Sequence, residues 1–144
     1  MSPASHGDPI AVIERLRSAI NDHDLERLVG CFAPDYVNDT PAHPDRGFTG
    51  NGQVRRNWSR ILAGVPDLSA ELVAVISDGT TAWCEWAWRG TRTDGARHEM
   101  RGVAIAEVRG QQITSTRFYM EPVMRDGLDS DAAVRAAIPV GAGR

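Results

Sequence analysis

The sequence predicts an α+β fold in which a curved antiparallel sheet, bent into a cone, packs against three N-terminal helices. Three observations carry that expectation. Apolar residues recur at helical spacing through much of the first 63 residues, and alternating runs follow from residue 68 to 123. The pairs Asp78-Gly79 and Asp94-Gly95 stand at joints between the alternating runs, where a tight hairpin needs positive backbone φ. Helices first and strands after place the helices on one face of the sheet. Long bent strands against three helices leave a cone with an open mouth, and a site in such a fold lies inside it.

Residues 1–8 read as a disordered lead-in. Asp8-Pro9 supplies an N-cap and a proline at the first helical position. Ile10, Ile13, Leu16, Arg17 and Ile20 then keep a helical stripe to about Asn21. Asn21-Asp22-His23-Asp24 breaks it, and Asp24 caps a second helix over 25–31 whose apolar face is Leu25, Leu28, Val29 and Phe32. Residues 36–40 form a short strand candidate. Residues 41–52, with Pro41, Pro44, Gly47, Gly50 and Gly52, form a loop. Val54, Trp58, Ile61 and Leu62 make 53–63 the third helix, stopped by Gly64-Val65-Pro66-Asp67. Strands are expected over 68–77, 80–93, 97–109 and 112–123, the last three as an antiparallel meander. The chain thus divides into the lead-in (1–8), one domain (9–124) and a tail (125–144) with a short helix at 129–137.

Composition excludes several classes of function. The net charge is −3, the 16 cations are all arginine, and they are scattered, so nucleic acid is not expected as a partner. Cys31 and Cys84 sit in no metal spacing and read as buried free thiols of a reducing cytosol. The N-terminal residues lack the apolar core of a signal peptide, and no run approaches a membrane span. A cytoplasmic protein is expected. His6, His23, His43 and His98 lie far apart in sequence, so no metal is expected. No phosphate loop, dinucleotide fingerprint or nucleophile elbow occurs, so no cofactor is expected.

The densest chemical signal is Ala82-Trp83-Cys84-Glu85-Trp86-Ala87-Trp88-Arg89, which holds three of the four tryptophans. Large apolar groups occur at both parities, so both faces of this strand should be covered, one around a cavity and one by a second subunit. Parity places Trp83, Glu85, Ala87 and Arg89 on the cavity side. His98, Met100 and Ala104 share it from the next strand, and Thr116, Phe118 and Met120 from the last. Tyr36, Asn38 and Thr40 close the far wall with Trp58. Glu121 faces away by the same rule. A carboxylate flanked by indoles would be desolvated and its pKa raised, which suits Glu85 to general acid–base work, with His98 as a base or dyad partner. The alternative for Glu85 is an ion pair with Arg89 or Arg101 that ties strands together.

Phe32-Ala33-Pro34-Asp35-Tyr36-Val37 after a helix pair, Val65-Pro66-Asp67-Leu68 after the third helix, Arg89-Gly90-Thr91, and Phe118-Tyr119-Met120-Glu121-Pro122 follow in order. In this the chain resembles the SnoaL-like branch of the nuclear transport factor 2-like superfamily over roughly residues 8–124. The resemblance implies a cone-shaped α+β fold and a homodimer through the outer sheet face. It also implies one of several activities: polyketide cyclase, ketosteroid isomerase, limonene epoxide hydrolase, dehydratase, or plain binding. Relatives with epoxide hydrolase activity would want Arg and Asp at 85 and 87, and a further Asp at 118 that the cyclases share. The cyclases' histidine would fall at 104. This chain has Glu85, Ala87, Phe118 and Ala104, so neither constellation is intact.

Three functions remain open at this stage. The first is a cofactor-independent enzyme acting on a hydrophobic or polyketide-like molecule: a cyclase, isomerase, dehydratase or hydrolase of natural-product biosynthesis. Glu85 and His98 would be catalytic there, and Tyr36, Asn38, Thr40, Trp58, Trp83, Arg89, Met100, Phe118 and Met120 would hold substrate. The second is a catalytically silent ligand-binding or scaffold dimer. The third is an interaction protein whose outer sheet face, with Cys84, Trp86 and Trp88, is the working surface.

Overall fold

The computed structural model describes residues 8–141. Residues 1–7 of the expected lead-in and 142–144 of the expected tail lie outside them. Helix α1 (Pro9–Asn21) opens as anticipated, with the Asp8 carboxylate accepting from the Ile10 N–H at 3.0 Å. Its buried stripe is Val12, Ile13, Leu16, Ala19 and Ile20. Asp24 caps α2 (Leu25–Gly30) by accepting from the Arg27 N–H. Between the two helices, Asn21 does more than end the first. Its amide donates to the Ala70 carbonyl at 3.0 Å and accepts from the Ala70 N–H at 2.7 Å, and the His23 ring meets the Leu68 carbonyl at 2.8 Å. The helix end is thereby fastened to the start of a distant strand.

Strand β1 (Phe32–Asp39) is longer than the expected 36–40. The loop after it contains a 3₁₀ turn (Pro44–Arg46) and the two-residue strand β2 (Phe48–Thr49), and α3 runs Asn51–Gly64. Strands β3 (Ser69–Asp78), β4 (Thr81–Thr91), β5 (Arg97–Arg109) and β6 (Gln112–Pro122) complete the sheet, and α4 (Ser130–Ala137) follows. The order is β2-β1-β6-β5-β4-β3. The β1–β6 pair is parallel and the others antiparallel, so the expected antiparallel meander is present and one parallel pair makes the sheet mixed. Helix α3 and the loop before it carry the chain away from β1, and β6 returns beside it in the same direction.

Two glycines let the curved sheet close on its neighbours. A Cβ on Gly102, whose φ is +151°, would stand 2.3 Å from the Tyr119 carbonyl oxygen. One on Gly90 would stand 2.5 Å from Val65 Cγ1, where the α3–β3 connection crosses β4. The ladder continues through Gly102 without a register shift. A shift does occur in β3, between Leu72 and Ala74. The core lies between the sheet and α1–α3, joining Ile13, Leu16, Ile20, Trp58, Trp86, Trp88 and Met120.

Candidate active site

The inner face of the sheet, helices α1 and α3, and the β1–α3 connection line a cavity of about 490 Å³. Strand β4 turns toward it the side opposite to the one expected. Cys84, Trp86 and Trp88 line the cavity, together with Met100, Ala104, Phe118 and Met120 from the neighbouring strands. The pairing requires it: Cys84 stands opposite Ala104, Trp86 opposite Gly102, and Trp88 opposite Met100. Placing odd residues of β4 and even residues of β5 on one face would need a bulge that the ladder does not contain. The expected cavity positions of Trp83, Glu85, Ala87 and Arg89 are therefore corrected to the outer face.

There Glu85 lies 3.6 Å from Arg101, and Arg89 lies 3.8 Å from Glu71; all four side chains are largely solvated. Trp83 is 43% exposed. The Glu85–Arg101 pair is the alternative expected for this carboxylate, a tie between strands on the solvated face. The remaining expected groups do meet in the cavity lining: His98, Tyr36, Asn38, Thr40, Trp58, Met100, Phe118 and Met120. Glu121, expected to face away, lines the cavity too, and its carboxylate meets His43 of the β1–β2 loop at 3.0 Å.

Most of the lining is aromatic or aliphatic. Trp88 meets Trp58 edge-on with ring centres 5.2 Å apart, and packs on Trp86 at 6.1 Å and Phe118 at 6.2 Å. Its indole N–H is buried and has no acceptor among the described residues. Cys84 belongs to the same wall; burial pushes its thiol up to about 12, so it stays protonated and chemically quiet.

Two sets of polar groups in the lining bear on chemistry. From β1, the Tyr36 hydroxyl donates to Asn38 Oδ1 at 2.9 Å, and Asn38 Nδ2 donates to Thr40 Oγ1 at 3.1 Å. Burial pushes the Tyr36 phenol up to about 12, with Thr116 acting in the opposite sense. It is therefore a permanent donor near neutral pH. The chain of bonds leaves one Asn38 N–H and the Thr40 O–H for something in the cavity. The second set is His98 on β5. Burial first, and the Arg92 charge second, hold its imidazole below the usual histidine range. At neutral pH it is an uncharged base.

Sequence reasoning missed the residues around the mouth. Arg46 and Phe48 come from the stretch read as loop, while Asn57, Arg60 and Ile61 come from α3. Asn57 and Arg60 sit beside the predicted stripe of Val54, Trp58 and Ile61, and that adjacency was the available signal. Among the described residues no cluster of three or more His, Cys, Asp or Glu could hold a metal, and no helix is long and apolar enough to cross a membrane.

The family profile described as the SnoaL-like domain matches residues 13–116. Wild-type IdmH, a candidate polyketide cyclase from Streptomyces antibioticus, is similar at 22% identity and a TM-score of 0.68, covering 91% of this chain and 99% of that one. A loop-truncation variant of IdmH reaches 25% identity and a TM-score of 0.66, over 79% of this chain and 93% of its own. AclR, a candidate hydroxylase from Streptomyces galilaeus, shares 15% identity at a TM-score of 0.68, covering 93% and 84%. No curated protein sequence matches significantly.

Proposed function

The chain belongs to the SnoaL-like domain family, and on that premise we propose that it is a cofactor-independent enzyme acting on a hydrophobic, polyketide-like molecule by acid–base chemistry. The observation that carries this reading is the pairing, in one apolar cavity, of a neutral imidazole with a chain of fixed donors. His98 takes a proton from carbon or from water. The free Asn38 N–H and Thr40 O–H hold the substrate oxygen on which negative charge develops, oriented in advance by Tyr36. Cyclisation, isomerisation and dehydration all begin with such a step. A polyketide cyclase is the activity favoured by the likeness to IdmH. The exposed Trp83, Ile76, Tyr119 and Val37 on the outer sheet face support a homodimer, and the two free thiols accord with a cytoplasmic setting.

A second reading has one observation in its favour. Position 118 is Phe, and the cavity's only carboxylate among its described lining residues, Glu121, is engaged by His43. A silent binding module would look this way. The two readings separate in a proton-exchange experiment with 2-tetralone in D₂O, followed by NMR. An acid–base enzyme accelerates deuteration of the α-carbon, and His98→Ala lowers the rate on the order of 100-fold. If the ketone binds and its exchange is not accelerated, the enzymatic reading is lost and the binding module remains.

A further inference from the structure

The cavity's charge is concentrated at its mouth, and it is positive. Two arginines from unrelated elements converge on the lining, Arg46 from the 3₁₀ turn and Arg60 from α3. Neither guanidinium has a hydrogen-bond or ion-pair partner among the described residues. Nearby arginines on α3 are, by contrast, engaged. On the same helix, Arg55 donates to Glu26 at 2.5 and 3.0 Å, and Arg56 donates to Gln53 at 2.8 Å. The carboxylate that could neutralise the mouth, Glu121, is held by His43. The chain as a whole carries a charge of −3, so the positive mouth runs against the overall balance.

We infer that the physiological ligand is an amphipathic anion, whose apolar body fills the cavity and whose oxyanion head, carboxylate or phosphate, sits between Arg46 and Arg60. The inference rests on the cavity being a small-molecule site. A guanidinium presents a planar fork of donors that matches either head group, and the aromatic wall of Trp58, Trp86, Trp88 and Phe118 suits a flat hydrophobic body. The head group then fixes which end of the molecule enters first, so the arginines set orientation as well as affinity. Because both are solvated, their contribution is modest and weakens with salt.

Fluorescent probes of one shape and different charge test this. Binding of 1-pyrenebutyrate, 1-pyrenebutyl phosphate and 1-pyrenebutanol is compared for the wild-type protein, Arg46→Gln/Arg60→Gln, and Arg109→Gln. Arg109 lies at the far end of β5, outside the cavity lining, and its variant changes net charge without touching the mouth. The expected result is that the wild type prefers an anionic probe over the alcohol by about fivefold or more at low salt. The double variant abolishes that preference while binding the alcohol unchanged, and Arg109→Gln retains it. Whichever anion binds tighter identifies the head group. Equal binding of acid, phosphate and alcohol by the wild type would overturn the inference and leave the cavity reading intact. So would a preference that survives in the double variant. Failure of all three probes to bind would overturn the cavity reading itself.

Discussion

The two faces of β4 contain the same ingredients, tryptophan and small residues, and differ in one: charge. The inner face carries Ala82, Cys84, Trp86 and Trp88, all buried, and nothing ionisable that is charged at neutral pH. The outer face carries Trp83, Glu85, Ala87 and Arg89, with Trp83 and Arg89 exposed and the charges paired across strands. Aromatic content alone does not tell a cavity wall from a surface. The decisive quantity is the cost of burying an unpaired charge, which far exceeds the gain from burying one more indole. Glu85 therefore draws its own face to solvent, Trp83 included.

The sharpest way to break this comparison is to remove one tryptophan from each face. Trp86→Ala should cost about 3–5 kcal/mol, since it opens a large hole in a packed wall. Trp83→Ala should cost under about 1 kcal/mol in the monomer, because its indole is 43% exposed. Urea denaturation of both variants at low protein concentration measures the difference. Equal losses would mean that the facing of β4 is wrong. A loss at Trp83 that grows with protein concentration would instead show the outer face covered by a second copy.

A smaller effect sharpens the electrostatic half of the comparison. His98 is the inner-face base, and burial together with Arg92 holds its pKa below the ordinary 6.5. The unfolded chain therefore binds a proton at higher pH than the folded one. Stability from this group is fully present above about pH 6.5 and is lost as the pH falls from there through the folded-state pKa. His98→Gln should flatten that acid limb relative to the wild type, and the α-carbon exchange proposed for His98 should fall over the same side. An unchanged limb in the variant would show that the loss does not come from His98.

Much of the fold was legible because local rules and packing agree in it. Asp8 and Asp24 cap where their chemistry predicts, and Asp94-Gly95 turns the hairpin between β4 and β5. The Tyr36, Asn38 and Thr40 alternation likewise put all three in the lining. The facing of β4 was misread for a physical reason: with Trp on both parities, period 2 has no phase, and the phase had to come from the partner strand. Hairpin pairing joins residues of matching parity across Asp94-Gly95, so Met100 on the inner side already implied Trp88 beside it. The shift between Leu72 and Ala74 is a harder case. It lets Leu72 sit opposite Trp86 and Val75 opposite Cys84, so both face inward at odd separation, and no residue type announces it. The mouth arginines were hidden because they belong to a loop and to a helix edge, and only the folded sheet and helices put both in one lining.

The smallest expected effect is also the most diagnostic. Glu85 lies 3.6 Å from Arg101 on the solvated face of the sheet, and the side chains are 44% and 48% exposed. Exposed pairs of this kind contribute on the order of 0.5 kcal/mol, because solvent screens the attraction and two long side chains must be ordered to make it. Glu85→Gln should therefore move the denaturation midpoint barely at all and leave α-carbon exchange of a bound ketone at the wild-type rate. An Arg101→Gln partner variant completes a double-mutant cycle, whose coupling should be equally small and should vanish in high salt. A Glu85→Gln enzyme that folds normally and has lost exchange would return the carboxylate to the cavity, and with it the opposite facing of β4. Either result is read against His98→Ala, where the same assay should register its largest loss, so the two side chains together decide which face of the sheet holds the proposed base.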